Sequence, residues 1–224
     1  MARWFVGTLF LTLASWIGWL WLRLQTDFFP EKTAIHWNIR MEADGWTDGS
    51  SAANWMLFPP ITITLLALLS WAVPRFAVRT FADQKTRRAL DFILFGVSLF
   101  FVFIGCIIAL GMKTGELAGT WFIGSFFVLF PILGLAMRDL PRNGFVGVRT
   151  PWTLNSDEVW AKTHQLTARL WCVAGAVGIG LIVVGAPFWT PLIVLLVAIF
   201  YPIWYSYRIR REGEAPAEPI PPKS

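Results

Sequence analysis

Ionisable residues that could do chemistry are few in this chain, and they gather in two stretches. Residues 147–164 read GVRTPWTLNSDEVWAKTH, where His164 with Asp157 or Glu158 would form an acid–base pair. Glu158 and His164 are six residues apart, which puts them on opposite faces of a helix, and neither a Ser nor a Cys nucleophile has an evident partner. Residues 26–55 form the second stretch, in which His36, Asp44 and Asp48 are the candidate metal ligands. One His with scattered carboxylates falls short of the ligand sets that hold zinc. The chain has no phosphate-cradling Gly loop, zinc spacing or dinucleotide fingerprint. No catalytic residue, metal or cofactor is expected, and the chain reads as a non-enzyme.

These stretches must be positioned by elements made for lipid rather than water. Of 224 residues, 56% are hydrophobic and 15% charged, against about 25% charged in soluble domains. Six apolar runs approach or exceed the length needed to cross a bilayer: 4–23, 57–74, 90–111, 120–137, 169–186 and 189–207. The first is too long for a signal-peptide core and lacks a small-x-small cleavage site, so it is expected to be retained. Only Arg23, Lys32, Arg40 and Lys113 fall in loops one, three and five, leaving 15 of the 19 Lys and Arg on the other side. The positive-inside rule then places both termini and loops two and four in the cytoplasm. The net charge of +5 is thereby assigned to cytoplasmic loops, and no direct nucleic-acid partner is expected.

The expected fold is all-α: one six-span integral membrane domain over residues 1–210, N-in and C-in, followed by a Pro-rich, disordered cytoplasmic tail at 211–224. Nine Trp residues (Trp4, Trp19, Trp21, Trp55, Trp71, Trp121, Trp171, Trp189 and Trp204) fall near span ends, as an interfacial belt requires. Cys106 and Cys172 lie in different spans at different depths and are expected to be free, buried thiols. Pro131 and Pro202 lie inside spans, where packing geometry accounts for them. The Gly residues of VAGAVGIG are spaced for close helix contact. No Asp, Glu, Lys, Arg or His occupies a mid-span position, which argues against ion-coupled transport.

Loop four, residues 138–168, should turn at Pro151 and begin a helix capped by Asn155, with Glu158 at its third position. Glu158 and Lys162 form an i,i+4 pair in the favourable order, and Val159, Trp160, Leu166 and Leu170 recur at helical spacing. The pattern predicts an amphipathic cytoplasmic helix at the membrane surface that continues or bends into span five. Arg149, Trp152 and Trp160 would anchor it to headgroups and neighbouring helix ends, or the face would bind a protein or peptide. Loop one, residues 24–56, is expected to fold as a cap over the outer helix ends. Its Asp44–Gly45 and Asp48–Gly49 pairs read as turns, and His36, Trp37 and Asn38 as a polar–aromatic recognition surface.

The residues Asn143, Gly147, Arg149, Thr150, Pro151, Trp152, Thr153, Leu154, Ser156, Val159, Trp160, Thr163 and His164 closely resemble the signature of the SdpI-type bacterial immunity proteins. Loop one resembles their extracytoplasmic segment through His36, Trp37, Asn38, Asp44, Gly45 and Trp46. It departs from it at Ala34, where the family often has Pro, and at Met41, where it often has Gly. The resemblance implies a membrane protein of the bacterial cell that protects against a secreted peptide toxin. It also implies a receptor that captures a cytoplasmic transcriptional repressor. Membrane lipid, such a toxin and such a repressor are the expected partners. The rival readings are a transporter or small-molecule- or lipid-binding membrane protein, and a membrane-embedded enzyme using His164 or His36 as base.

Overall fold

The computed structural model describes residues 3–38, 40–187 and 189–213, the last three of these for their backbone only. In chain order the elements are α1 (Arg3–Leu24), β1 (Lys32–Trp37), β2 (Ala43–Asp48), α2 (Gly49–Trp55), α3 (Phe58–Phe76) and α4 (Val78–Phe81). They continue with α5 (Gln84–Thr114), α6 (Gly119–Met137), α7 (Pro151–Asn155), α8 (Asp157–Val183) and α9 (Trp189–Gly213). Six segments are helical, long and apolar enough to cross a membrane: α1, α2 with α3, α5, α6, α8 and α9. This is a multi-pass membrane protein, and its outer surface says so. Phe10, Leu13, Leu65, Trp121, Val173 and Phe200 are all exposed on helices that water could not stabilise in that state.

The fold is the mostly helical one expected, and among the described residues loop one adds a single antiparallel hairpin. β1 pairs β2 from Lys32 opposite Asp48 to Trp37 opposite Ala43, with irregular register around His36. The Asp-Gly pairs do not make its turn. Asp44 and Gly45 lie inside β2, and a Cβ on Gly45 would stand 2.7 Å from the Cβ of His36, so glycine is needed for the strands to approach there. Asp48–Gly49 is the passage from strand to α2. The reversal falls instead at Asn38–Glu42, where the Asn38 carboxamide oxygen accepts from the backbone N–H groups of Arg40 and Glu42. Met41 sits there at φ 63, the one non-glycine residue in the left-handed region among those described.

Helix α5 is the spine. Asp83 caps it by accepting from the Thr86 backbone N–H at 2.7 Å and the Thr86 hydroxyl at 2.8 Å. The backbone bond, with help from the hydroxyl, holds the Asp83 carboxyl below its ordinary range, so the cap weakens only as pH falls into that range. Gly115, at φ 82, closes the other end. At about 1.5 Å per residue its 31 residues run roughly 45 Å. The hairpin sits at the Gly115 end, where Phe29, Ala52, Ala53, Met56 and Met112 form a core beneath it. At the opposite end a second core joins Ala89, Leu90 and Leu94 to Met137, Leu140, Val146 and Trp160. A third, around Phe127, Phe130, Ala174 and Ala198, ties α6 and α8 to α9.

Close approach of α6 and α8 rests on the glycines of the small-residue run. A Cβ on Gly178 would stand 2.0 Å from the Phe127 ring, and one on Gly175 would stand 2.7 Å from both the Phe127 carbonyl and the Pro131 ring. Pro131 thus serves as a packing surface. Trp171, on α8, packs against the core that α6, α8 and α9 share. Its indole N–H donates to the Ala198 carbonyl at 2.8 Å and its ring stacks on Phe130. The two cysteines are free, but Cys106 is exposed and Cys172 half-buried. The burial expected of them is wrong because lipid, not protein, covers much of a spanning helix. The assigned tail also begins too early: α9 runs through Gly213, and residues 214–224 lie outside the described residues.

Candidate functional site

Loop four folds into a module in which Asn143, Thr153, Trp160 and His164 bond the loop's own backbone. Asn143 organises the first turn: its Oδ1 accepts from the N–H groups of Phe145 and Val146, both at 2.8 Å, while its Nδ2 donates to the carbonyls of Pro141 and Val146. The chain then reaches Gly147 at φ 120, a conformation that glycine alone adopts without strain. Helix α7 follows. Thr150 and Thr153 cap it reciprocally, Pro151 occupies its first turn, and the Thr153 hydroxyl donates to the Val148 carbonyl at 2.8 Å. The expected cap Asn155 is instead the last residue of α7. Ser156 caps α8, its hydroxyl accepting from the Val159 N–H.

After α7, one unbroken helix runs from Asp157 into span five, the first of the two courses the sequence allows. Val159, Trp160, Thr163, His164, Thr167 and Ala168 form its buried stripe. Glu158 and Lys162 lie on the exposed side as an ion pair, which keeps the Glu158 side chain tied along the helix. Trp160 is 2% exposed and donates its indole N–H to the Leu140 carbonyl at 2.7 Å. His164 stacks on Trp160 with centroids 4.0 Å apart. Its Nδ1 faces the Trp160 carbonyl at 2.8 Å, which can only accept. Its Nε2 faces the Val148 N–H at 3.0 Å, which can only donate. The imidazole is therefore the neutral Nδ1–H tautomer. Both ring nitrogens are occupied by backbone, so His164 has neither a lone pair nor a proton free for substrate. Its role is to pin residues 147–148 against α8.

Two residues absent from the sequence-derived set complete the module. Arg142 bridges the Asp157 carboxylate and the Leu154 carbonyl, closing the loop over α7. Ser206 of α9 is fully buried and accepts the Trp152 indole N–H at 2.6 Å, while the Trp152 ring meets Tyr207 edge-on. No local signal marks Ser206, because its partner is 54 positions away. Removing this hydrogen bond while keeping an aromatic ring, as in Trp152→Phe, is expected to cost about 1 kcal/mol. Ser206→Ala should cost a similar amount and the double variant little more, read as thermal midpoints of detergent-solubilised protein. Additive losses would mean that the two side chains act separately.

The loop-one residues come together at the other end of α5. His36 Nδ1 lies 2.5 Å from Asp44 Oδ1 across the hairpin, both side chains open to solvent. Asp48 stands at the far end of the hairpin opposite Lys32, and no group of three or more His, Cys, Asp or Glu able to hold a metal occurs among the described residues. Trp37 donates its indole N–H to the Gly115 carbonyl at 3.3 Å and so ties the hairpin to the end of α5. Trp46 remains 44% exposed, with the Lys32 ammonium 4.8 Å above its ring. The sixteen candidate residues thus form two sites separated by the length of α5. His36, Trp37, Asn38, Asp44, Gly45 and Trp46 make one. Asn143, Gly147, Arg149, Thr150, Pro151, Trp152, Ser156, Trp160, Thr163 and His164 make the other. Within the second, Arg149 is exposed, whereas Thr163 and His164 are buried.

Residues 139–206 match the model of the SdpI/YfhL protein family. The matched segment contains the whole loop-four module, helix α8 and α9 as far as Ser206, the residue that holds Trp152. No curated protein and no solved structure matches the chain.

Proposed function

We propose that this SdpI-family chain is an immunity-type protein of the bacterial inner membrane that protects its cell from a secreted peptide toxin. The observation that carries the reading is the family match over residues 139–206, which contains the loop-four module held by Asn143, Thr153 and His164. The distribution of Lys and Arg supports a cytoplasmic position for that module and an outward position for the hairpin. The hairpin, with Trp46 and the His36–Asp44 pair at its surface, is the face that meets the peptide. The loop-four module is the cytoplasmic docking element, and a transcriptional repressor is the partner the family resemblance implies for it. No step of this role is catalytic; it is binding and its transmission along α5 and α8.

The decisive measurement is survival of sensitive bacteria challenged with candidate peptide toxins, with and without this chain expressed. Protection is expected from the native chain and from Arg149→Ala if toxin contact is made at the hairpin. Protection should fall on Trp46→Ala with protein level unchanged. Failure of the native chain against every membrane-active peptide tested would remove the reading. The orientation is tested separately by single cysteines in place of Trp46 and Trp152, in a chain with Cys106 and Cys172 changed to Ser. An impermeant thiol reagent should label only the first in intact cells.

A further inference from the structure

Helices α1, α5 and α6 meet at the loop-four end of α5 around a cleft of about 560 Å³. Ala89 and Ala136, both buried, line it, and side chains this short leave the space open. On the α5 wall Lys85, Arg88 and Phe92 recur at helical spacing, so cations give way to an aromatic ring over seven residues, or about 10 Å. Helix α1 repeats that order in two adjacent residues. The Arg3 guanidinium lies 4.8 Å from the Trp4 ring centroid, and the Trp4 ring packs on Phe92 at 4.8 Å. Leu135 of α6 is 58% exposed and opens the cleft onto the apolar outer surface of the spans.

The cleft carries surplus positive charge. Arg3, Lys85 and Arg88 line it with one carboxylate, Asp139. Among the described residues none of the three cations forms an ion pair: Arg88 meets the neutral carboxamide of Gln84, and Arg3 the Trp4 ring. The Asp83 carboxylate feels Lys85 from outside the cleft but is bonded to Thr86. Even with Asp83 counted, the cations outnumber the carboxylates.

We infer that this cleft binds one acidic phospholipid, its phosphate among Arg3, Lys85 and Arg88 and its glycerol and upper chains along Trp4, Phe92 and Leu135. Basic pockets between spanning helices take anionic headgroups because several cations converge where the neighbouring surface is already apolar. Two helices here pass from cation to aromatic ring in the order that a lipid passes from headgroup to chain. A free anion would use the cations and leave the Trp4–Phe92 wall and the opening beside Leu135 without a role. The site is independent of toxin protection, so it can stand or fall without that reading.

The test uses the full chain in an uncharged detergent, with bound lipid counted by native mass spectrometry. Phosphatidylglycerol should bind more tightly than phosphatidylcholine with the same chains. Each cation near an anionic lipid contributes roughly fivefold, so Lys85→Gln/Arg88→Gln should weaken phosphatidylglycerol by about 25-fold. Arg138→Gln/Arg169→Gln, which removes two cations from the adjoining cleft between α6 and α8, should leave that affinity unchanged. Millimolar inorganic phosphate should not displace the lipid. Equal binding of both lipids, an unchanged affinity in the Lys85/Arg88 variant, an equal loss in the Arg138/Arg169 variant or full displacement by phosphate would each overturn the proposal. If the Lys85/Arg88 variant does not accumulate, Arg3→Gln on the separate helix α1 must by itself lose about fivefold.

Discussion

Gly147→Ala is expected to destabilise the protein by about 2–5 kcal/mol, the sum of two independent costs. The backbone at φ 120 carries a penalty of about 1–2 kcal/mol for a residue with a Cβ. The Cβ would also stand 2.3 Å from His164 Nε2 and 3.0 Å from Trp160 Cη2, in a packed core where forced insertion costs about 1–3 kcal/mol. The imidazole cannot retreat, because both its nitrogens are bonded to backbone. Gly144→Ala, three residues away, meets nothing within 4 Å of its new Cβ and has no positive φ. It should change stability by less than about 0.5 kcal/mol. Thermal midpoints in one detergent compare the two directly. A Gly147→Ala protein as stable as the native chain would mean that His164 does not lie against residues 147–148.

Asp91→Ala should cost about 2–4 kcal/mol, below the full cost of breaking a buried pair because the Arg87 side chain is 37% exposed. Asp91 is fully buried near the start of α5, accepts the Ser70 hydroxyl at 2.6 Å and pairs with Arg87 at 3.7 Å. Its Oδ2 and the Arg87 Nε are buried without hydrogen bonds, so the pair is held by charge rather than by good geometry. Truncating Asp91 takes the acceptor from the Ser70 hydroxyl and the counter-charge from the buried Nε of Arg87. Ser70→Ala should cost less, about 1–3 kcal/mol, since the ion pair survives. Ser70→Ala combined with Arg87→Met and Asp91→Leu removes all three polar groups and should recover much of the loss. The ranking is read from unfolding midpoints. An Asp91→Ala variant at least as stable as Ser70→Ala would show that the carboxylate is not enclosed.

Both effects concern residues whose importance lies outside their own neighbourhood in the chain. Gly147 belongs to a stretch whose polarity between apolar runs is legible at once, yet its requirement for glycine depends on a histidine 17 positions later. Asp91 reads from the sequence as a carboxylate at the start of an apolar run. What encloses it is a serine on α3 and an arginine one helical turn earlier.

The sequence by itself determined the six apolar segments and the placement of polar residues between them, because the cost of unpaired polar groups in lipid leaves a chain of this composition almost no other arrangement. It also carried the close-packing glycines of α8 and the family signature. Three things were decided only by tertiary structure. Loop one became a hairpin because Asn38 makes the turn with its own side chain, so the Asp-Gly pairs were free to serve as strand and strand end. Of the two courses open to the loop-four helix, to continue into span five or to bend into it, the fold takes the first, and Leu140 and Val148 bond the Trp160 and His164 of its buried face. His164 became a structural residue because the fold brings a carbonyl and an amide to its two nitrogens, a pairing that depends on spatial neighbours and leaves no periodicity to read.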